Sequence, residues 1–279
     1  MSALRLASVN VNGIRAAVRN GMHDWLAGAG VDILTLQEVR ATAADLALAL
    51  PDWHLENDES HTKGRSGVAI ASRVAPVAVR RGLGDETVDS AGRWIEADFE
   101  IDGRTVCVVS AYVHSGEVDT PKQDAKWLFL DAMTVRLNEL AVERPLSVVT
   151  GDLNVGHREL DIRNWKGNVK RAGFLPRERA YFDRFMGELG AEVTAVDGSV
   201  GTGLGWIDVG RTHAGEVEGP YTWWSQRGKA FDNDTGWRID YHIATPALAA
   251  LASDYHVVRA AAYDQRWSDH APVVADYAL

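Results

Sequence analysis

Short apolar runs closed by Gly, Asn or Asp recur along the chain and set its predicted elements. LRLASVNV (4–11) reads as a strand, GMHDWLAGAG (21–30) as a short helix and VDILTLQEV (31–39) as a second strand, a β-α-β opening. Further strands are predicted at 67–72, 93–100, 104–112, 146–150, 237–244 and 272–277. The clearest helix spans 120–140. Thr120 suits its N-cap, Pro121 its first turn and Gln123 a capping box, and Trp127, Leu130, Met133, Leu137 and Leu140 form one apolar stripe. A second helix is expected over 178–189, burying Phe182, Phe185, Met186 and Leu189 before Gly190 stops it. RWIEADFE alternates polar with apolar residues, so its sheet is not covered on both faces as in a doubly wound fold. Two packed sheets with helices outside suit this pattern.

No interior stretch has linker composition, so residues 1–279 are expected to form one domain. No run approaches the roughly 18 apolar residues of a membrane span, and MSALRLASVNVNG lacks the charged-then-apolar order of a secretory signal. The single Cys107 allows no internal disulfide, which fits a reducing, cytoplasmic setting. A net charge of −10 argues against an indiscriminate polyanion binder. The local field differs: residues 158–184 hold eight Arg or Lys against four acids, directly after Asp152 and Asn154. That tract is either a solvated face or a phosphate-contacting surface.

Polar residues close many of the apolar runs: Asn10 and Asn12, Glu38, Tyr112 and His114, Asp152 and Asn154. Asp240 lies in GWRIDYHIA, and Asp269 with His270 opens the last strand. Each alone has a plainer reading as a turn, a cap or a core residue. Together they offer an oxygen-rich site with a carboxylate base and an imidazole. Carboxylates and amides without paired Cys or closely spaced His fit Mg²⁺, or Mn²⁺ in its place, better than zinc. No Gly-rich phosphate loop with lysine is present, which argues against the usual nucleotide-triphosphate hydrolysis.

SVNVNGIRA (8–16), LTLQEV (34–39), SGVAI (66–70), VVSAYV (108–113), GDLNVGHRELDIRN (151–164), AGFLPRER (172–179), YTWWSQR (221–227), GWRIDY (236–241) and SDHAPV (268–273) together resemble the endonuclease/exonuclease/phosphatase superfamily. Within it they resemble the exonuclease III and apurinic/apyrimidinic endonuclease family of DNA repair. GDLN and SDHAPV indicate the superfamily alone; AGFLPRER with TWWS and GWRIDY points to the repair branch. The resemblance implies an α+β, four-layered α/β/β/α sandwich: two packed mixed β-sheets flanked by helices, with the active site at one end.

It further implies a divalent-metal-dependent phosphodiesterase acting on double-stranded DNA at abasic sites or 3′ ends, with no membrane partner and a monomeric state. Glu38 would ligate the cation, Asp269 would assist it and Asn10 would position the cluster. Tyr112 would contact phosphate, Asp152 and Asn154 would activate and orient water, and Asp240 would hold the catalytic His270. Trp223, Trp237 and Ile239 would line a pocket for the extruded base-free sugar. Asn12, Arg158, Asn168, Lys170 and Arg171 are the remaining expected substrate contacts.

The chain departs from the family in places. Asn12 stands where some relatives have aspartate, and VHSGEVDTPKQD lacks the arginine-bearing loop of some eukaryotic relatives. Gly173 leaves room beside the expected lesion surface. Two alternatives therefore stay open: a 3′-exonuclease or 3′-phosphatase with little abasic-site activity, and a superfamily phosphatase for a non-DNA ester.

Overall fold

In the computed structural model, which describes residues 3–279, the β-α-β opening is β1 (Ala3–Asn10), α1 (Ile14–Arg19), α2 (Met22–Ala29) and β2 (Ile33–Gln37). There follow α3 (Ala43–Ala49), β3 (His54–Asp58), β4 (Val68–Ser72), β5 (Ala78–Arg81), α4 (Glu86–Asp89), β6 (Trp94–Ile101), β7 (Arg104–Tyr112), α5 (Pro121–Glu143) and β8 (Ser147–Asp152). The remainder comprises α6 (Pro176–Phe185), β9 (Glu192–Thr194), β10 (Val200–Thr202), β11 (Ile207–Asp208), α7 (Val209–Ala214), β12 (Asp240–Ala244), α8 (Pro246–Ala249), β13 (Ala252–Val257) and β14 (Val273–Ala278).

One six-stranded sheet runs β13-β14-β1-β2-β4-β3 and the other β11-β12-β8-β7-β6-β5. Each is mixed: β1 lies parallel to β2 and β7 parallel to β8, and the other pairs are antiparallel. Leu4, Leu6, Ile33 and Ile70 of the first sheet pack on Phe99, Val106, Val108 and Val148 of the second. The outer face of the first sheet is covered by Ile14, Leu26 and Leu46 of the first three helices. The outer face of the second is covered by Phe129, Met133 and Leu137 of α5 and Phe182 and Phe185 of α6. The result is the expected four-layered sandwich. Burying each large aliphatic side chain in these layers stabilises the fold by ~1.5–3 kcal/mol. No helix among the described residues is long and apolar enough to cross a membrane.

Towards one end the core between the sheets turns polar. Thr35 and Thr150 share a 2.6 Å hydrogen bond across the sheets, and Gln37 Nε2 donates to Ser110 Oγ over 3.0 Å. Buried polar groups persist only when partnered, and this seam leads directly to the ends of β1 and β8.

Three local expectations are corrected. The second helix ends at Phe185, because the carbonyls of Arg184 and Phe185 accept from Leu204 and Trp206 instead of a further helical turn, and Leu189 is exposed. Gln123 completes no capping box: its amide donates to buried Glu178 over 3.0 Å, leaving Thr120 alone to cap Lys122 N. The strand expected from 237 starts at Asp240, since the Trp237 backbone pairs with Trp223.

Candidate active site

Three adjacent strands of the second sheet bring their ends into register, with Tyr112 beside Asp152 and Asp152 beside Asp240. Neighbours in register present side chains on the same face. Gly151 makes this pairing possible. At φ 132° a Cβ there would lie 2.0 Å from Ala111 O, so no other residue fits without moving the strand. After Asp152 the chain turns sharply at Asn154 (φ 50°), and the turn is closed by Asp152 itself, whose Oδ1 accepts from Asn154 N over 3.0 Å. The Gly-Asp-Leu-Asn sequence is thus a strand end that folds its amide back onto its acid.

The first sheet supplies the facing wall. Asn10 Nδ2 donates to Asp152 Oδ2 over 2.8 Å, and Asn10 Oδ1 accepts from Asn12 N over 2.9 Å. Asn12 Nδ2 donates to Asp269 Oδ1 (2.9 Å) and Trp223 Nε1 to Asp269 Oδ2 (3.2 Å). Asn12, Glu38, Arg40 and Asn154 all adopt left-handed backbone, and all four line one cavity of about 460 Å³. Such conformations in non-glycine residues cost of order 1–3 kcal/mol and gather at functional sites.

His270 stands between two buried acids. Its Nδ1 lies 2.9 Å from Asp240 Oδ2 and 3.1 Å from Oδ1, and its Nε2 lies 3.7 Å from Asp152 Oδ2. Asp240 therefore fixes the ring orientation and turns Nε2 to the cavity. Burial alone would push the imidazole down, but Asp240 and Asp152 outweigh it and raise His270 to about 10, so it carries charge. Burial pushes Asp152 the other way for a carboxylate, up to about 7, even though His270 and the two asparagines oppose the shift. Burial would also raise Asp269, yet the His270 charge and the bonds from Asn12 and Trp223 hold it below the usual carboxylate range. Burial, Glu38 and Asp152 push the Tyr112 phenol well up, leaving it a proton donor.

The third wall is aromatic. The 222–224 backbone bridges between 237–239 and 269–271: Trp223 and Trp237 exchange both backbone bonds at 2.9 Å, and Ala271 N donates to Thr222 O over 2.7 Å. Thr222 Oγ1 also accepts from Ile239 N and Asp240 N. One backbone patch thus carries the Asp240–His270 pair together with Trp223, Trp237 and Ile239; all but Asp240 line the cavity, with the two Trp rings edge-to-face.

Asn10, Asn12, Glu38, Tyr112, Asp152, Asn154, Asn168, Arg171, Trp223, Trp237, Ile239, Asp269 and His270 line this cavity, and Asp240 lies directly behind His270. Lys170 and Arg158 do not line it. Arg158 instead pairs with Glu216 at 2.6 Å beside a separate groove. Four cavity residues were not singled out from the sequence: Arg40, which pairs with Glu38, and Ser115, Gly116 and Ala172. Arg93, also missed, stacks its guanidinium 4.4 Å from the centre of the Tyr112 ring. Neither arginine sits in a motif that names a role, because each is defined by a partner brought in by the fold.

The donors are those of a hard divalent cation. Asp152, Asp240 and His270 set one oxygen or nitrogen each within 4.8 Å of one another, a set open to a cation when His270 gives up its proton. Glu38 and Asp269 add carboxylates and Asn10 a carbonyl oxygen on the same cavity wall. Oxygen donors dominate and no cysteine is near, which fits Mg²⁺ or Mn²⁺.

Residues 7–270 match the Endonuclease/Exonuclease/phosphatase family. The exodeoxyribonuclease of Bacillus subtilis is 32% identical over 97% of this chain and 98% of its own length. The DNA repair nuclease APEX1 of Danio rerio is 31% identical, over 97% of this chain and 81% of its own. The structure of an AP endonuclease from Archaeoglobus fulgidus superposes with a TM-score of 0.80 at 28% identity, covering 99% of this chain and all of that one. With the strand-end acids, the buried imidazole and the aromatic wall in place, this similarity along nearly the whole length is decisive: the chain belongs to the Endonuclease/Exonuclease/phosphatase family, in its exonuclease III and apurinic/apyrimidinic endonuclease branch.

Proposed function

We propose that the protein is a divalent-cation-dependent phosphodiesterase of DNA repair, acting as a monomer on double-stranded DNA at abasic sites and at 3′ ends. The observation that carries this reading is the placement of Asp152 3.7 Å from an imidazole held by Asp240, on the floor of a cavity walled by Trp223, Trp237 and Ile239. A non-DNA phosphatase would need the acids and the histidine but not the aromatic wall. A second groove, lined by Arg65, Arg93, Lys122 and the hydroxyls of Ser60, Thr62, Ser66 and Ser90, meets the cavity at Ser115 and Gly116. A groove of cations and hydroxyls suits a continuing phosphodiester strand. A cytoplasmic location is part of the reading and rests on the lone, buried Cys107.

In the reaction Asp152 accepts a proton from the attacking water, which its pKa near neutrality permits. Asn154 and Asn10 hold the Asp152 carboxylate by its oxygens and so fix where that water sits. Water oxygen bonds to phosphorus, the bond to the leaving oxygen breaks, and charge grows on the nonbridging oxygens. The His270 imidazolium and the Tyr112 phenol face that charge and bind it more tightly in the transition state than in the ground state. Glu38 and Asp269, with Asn10, are the residues that would hold the cation, leaving Asp152 and His270 for proton and charge. A bound Mg²⁺ supplies Lewis-acid stabilisation of the phosphoryl oxygens. Trp223, Trp237 and Ile239 accept the base-free sugar and exclude an intact nucleotide by size.

The test is a Mg²⁺-dependent assay on three duplexes, carrying an abasic site, a recessed intact 3′ end and a 3′-phosphate end. Cleavage at the abasic site with release from 3′ ends is expected. Loss of the first with retention of the others would assign the protein to 3′-end processing, and activity on none of them would overturn the reading.

A further inference from the structure

Behind the Asp152–Asn154 turn lies a fully buried ion pair that no step above uses. Lys126 of α5 and Glu178 in the first turn of α6 are both inaccessible to solvent, 2.8 Å apart. Lys126 Nζ also donates to Asn154 O over 2.9 Å and to Ser115 O over 3.3 Å. All three ammonium protons are thereby committed: one to the loop that follows β8, one to the loop that follows β7 and one to α6. Glu178 in turn accepts from Gln123 Nε2 (3.0 Å) and from Leu175 N (2.9 Å), which ties down the start of α6 just beyond the AGF segment of the cavity wall.

A buried ion pair of this kind is an expensive way to hold a fold together, because desolvating both charges offsets most of their attraction. Well-packed apolar residues would bind α5 to α6 at least as firmly. The position of the ammonium is what apolar residues could not reproduce. It grips the carbonyl of the residue whose backbone is left-handed and whose side chain donates to Asp152 Oδ2 over 3.2 Å and to Val113 O over 2.9 Å. A second loop, through Ser115 and Gly116, is gripped by the same atom and lines the same cavity.

We propose that Lys126 is a positioning residue for catalysis: paired with Glu178, it locks the Asn154 turn and so holds in place the amide that grips Asp152. The inference rests on the reading of Asp152 as the group that accepts the water proton. The pinned Asn154 carbonyl keeps the amide aimed at Asp152. Burial pulls the Lys126 ammonium below its ordinary value, while Glu178 and, more weakly, Asp152 hold it up. The neighbouring His114 is pushed down to about 3 by burial, Arg93 and Lys126, so it stays neutral and does not compete for the same acids. The charged groups that act on Lys126 are Glu178 and Asp152.

The test compares the parent with Lys126→Met, Glu178→Gln and the double variant in single-turnover cleavage of an abasic-site duplex at saturating Mg²⁺, from pH 5 to 9. Melting temperature and duplex affinity are measured alongside. Lys126→Met alone strands a buried carboxylate and can lose stability, whereas the double variant is neutral and close to the parental shape. The expected result is a double variant that melts near the parent and binds DNA with parental affinity. It should cleave on the order of 10²-fold more slowly at saturating duplex, through the displaced Asn154. A double variant that cleaves at the parental rate overturns the proposal and leaves the pair as packing. Asp152→Asn, run in the same assay, separates the two levels: if it cleaves like the parent, the underlying assignment of Asp152 fails, whatever Lys126 does.

Discussion

Asn10 and Asp152, 142 residues apart and on strands of opposite sheets, are joined by a 2.8 Å hydrogen bond from Nδ2 to Oδ2. This bond is the inter-sheet seam carried to its end, and it holds the carboxylate that lies closest to His270 Nε2. Asn10→Asp replaces the donor with a second carboxylate while keeping the shape. Like charge at this distance raises the pKa of the pair, so the acid limb of the cleavage profile should move up by about one pH unit or more. Cleavage rates of parent and variant from pH 5 to 9 check this; superimposable profiles would detach Asn10 from Asp152.

The two upward shifts also bear on stability. Asp152 is raised from 3.8 to about 7 and His270 from 6.5 to about 10. A group with a raised folded pKa binds its proton more tightly when folded, so its contribution is complete below the unfolded pKa and is lost as pH rises through the folded one. Asp152 thus works against stability increasingly between about pH 4 and 7, and His270 contributes until about pH 10. In metal-free protein, Asp152→Asn should remove the part of the fall in melting temperature between pH 4 and 7 that belongs to this carboxyl. Melting curves of both proteins across that range, without added cation, read the difference.

The Asp240–His270 pair should behave as one unit. Asp240→Asn and His270→Ala are each expected to slow the chemical step by about 10²–10⁴-fold while leaving the fold intact. The double variant should be scarcely worse than the weaker single one, because an orienting acid has nothing to do without its imidazole. Single-turnover rates with parallel melting curves test it. Independent, additive losses in stability with near-parental cleavage would return both to the core.

Much of this arrangement was legible along the chain because strands with period-two or continuous apolar patterns end where polar residues begin. Asn10, Glu38, Tyr112 and Asp152 were each found as the polar stop after such a run and His270 at the opening of the last strand, and the fold places them around one cavity. The edge strands β3 and β5 were not found, since HLEND and AVRR are half-exposed and carry no apolar period. Partnership was equally invisible. Nothing in the sequence couples Lys126 to Glu178, which meet only once α5 and α6 pack together, or turns Arg40 to the cavity and Arg93 to the Tyr112 ring. The basic tract of 158–184 shows the same limit. Its residues are consecutive in sequence, but Arg158 and Arg163 are taken by Glu216 and Glu218, and Arg177 and Arg184 cover Trp127 and Tyr181.

That partition predicts which cations contact DNA. Arg171 lines the catalytic cavity, and Arg158 is already paired outside it. Arg171→Ala should weaken duplex binding and lower the slope of log affinity against log salt by about one, as for one released counterion. Arg158→Ala should leave the slope unchanged. Fluorescence anisotropy with a duplex between 50 and 200 mM salt measures both, and equal slopes for parent and Arg171→Ala would exclude a phosphate contact.

Gly173 decides how much room the aromatic wall leaves. Its backbone is left-handed at φ +92°, and a Cβ added there would lie 2.8 Å from Cζ3 of Trp237 and 3.3 Å from Asn154 O. Gly173→Ala therefore strains the backbone and presses on Trp237, changing the space beside its ring, while Asp152 and Asp240 stand on β8 and β12, which a Cβ at 173 does not meet. A base-free sugar must enter that space and a terminal phosphate need not. Abasic-site cleavage should fall by about tenfold or more, since misplacement of even 1 Å can cost 10²-fold, with removal of a 3′-phosphate largely retained. Both rates are measured on the same preparation, with melting temperature as the control for folding. An equal loss on both substrates would mean that Gly173 serves the Asn154 turn rather than the wall, because only the turn is shared by the two reactions.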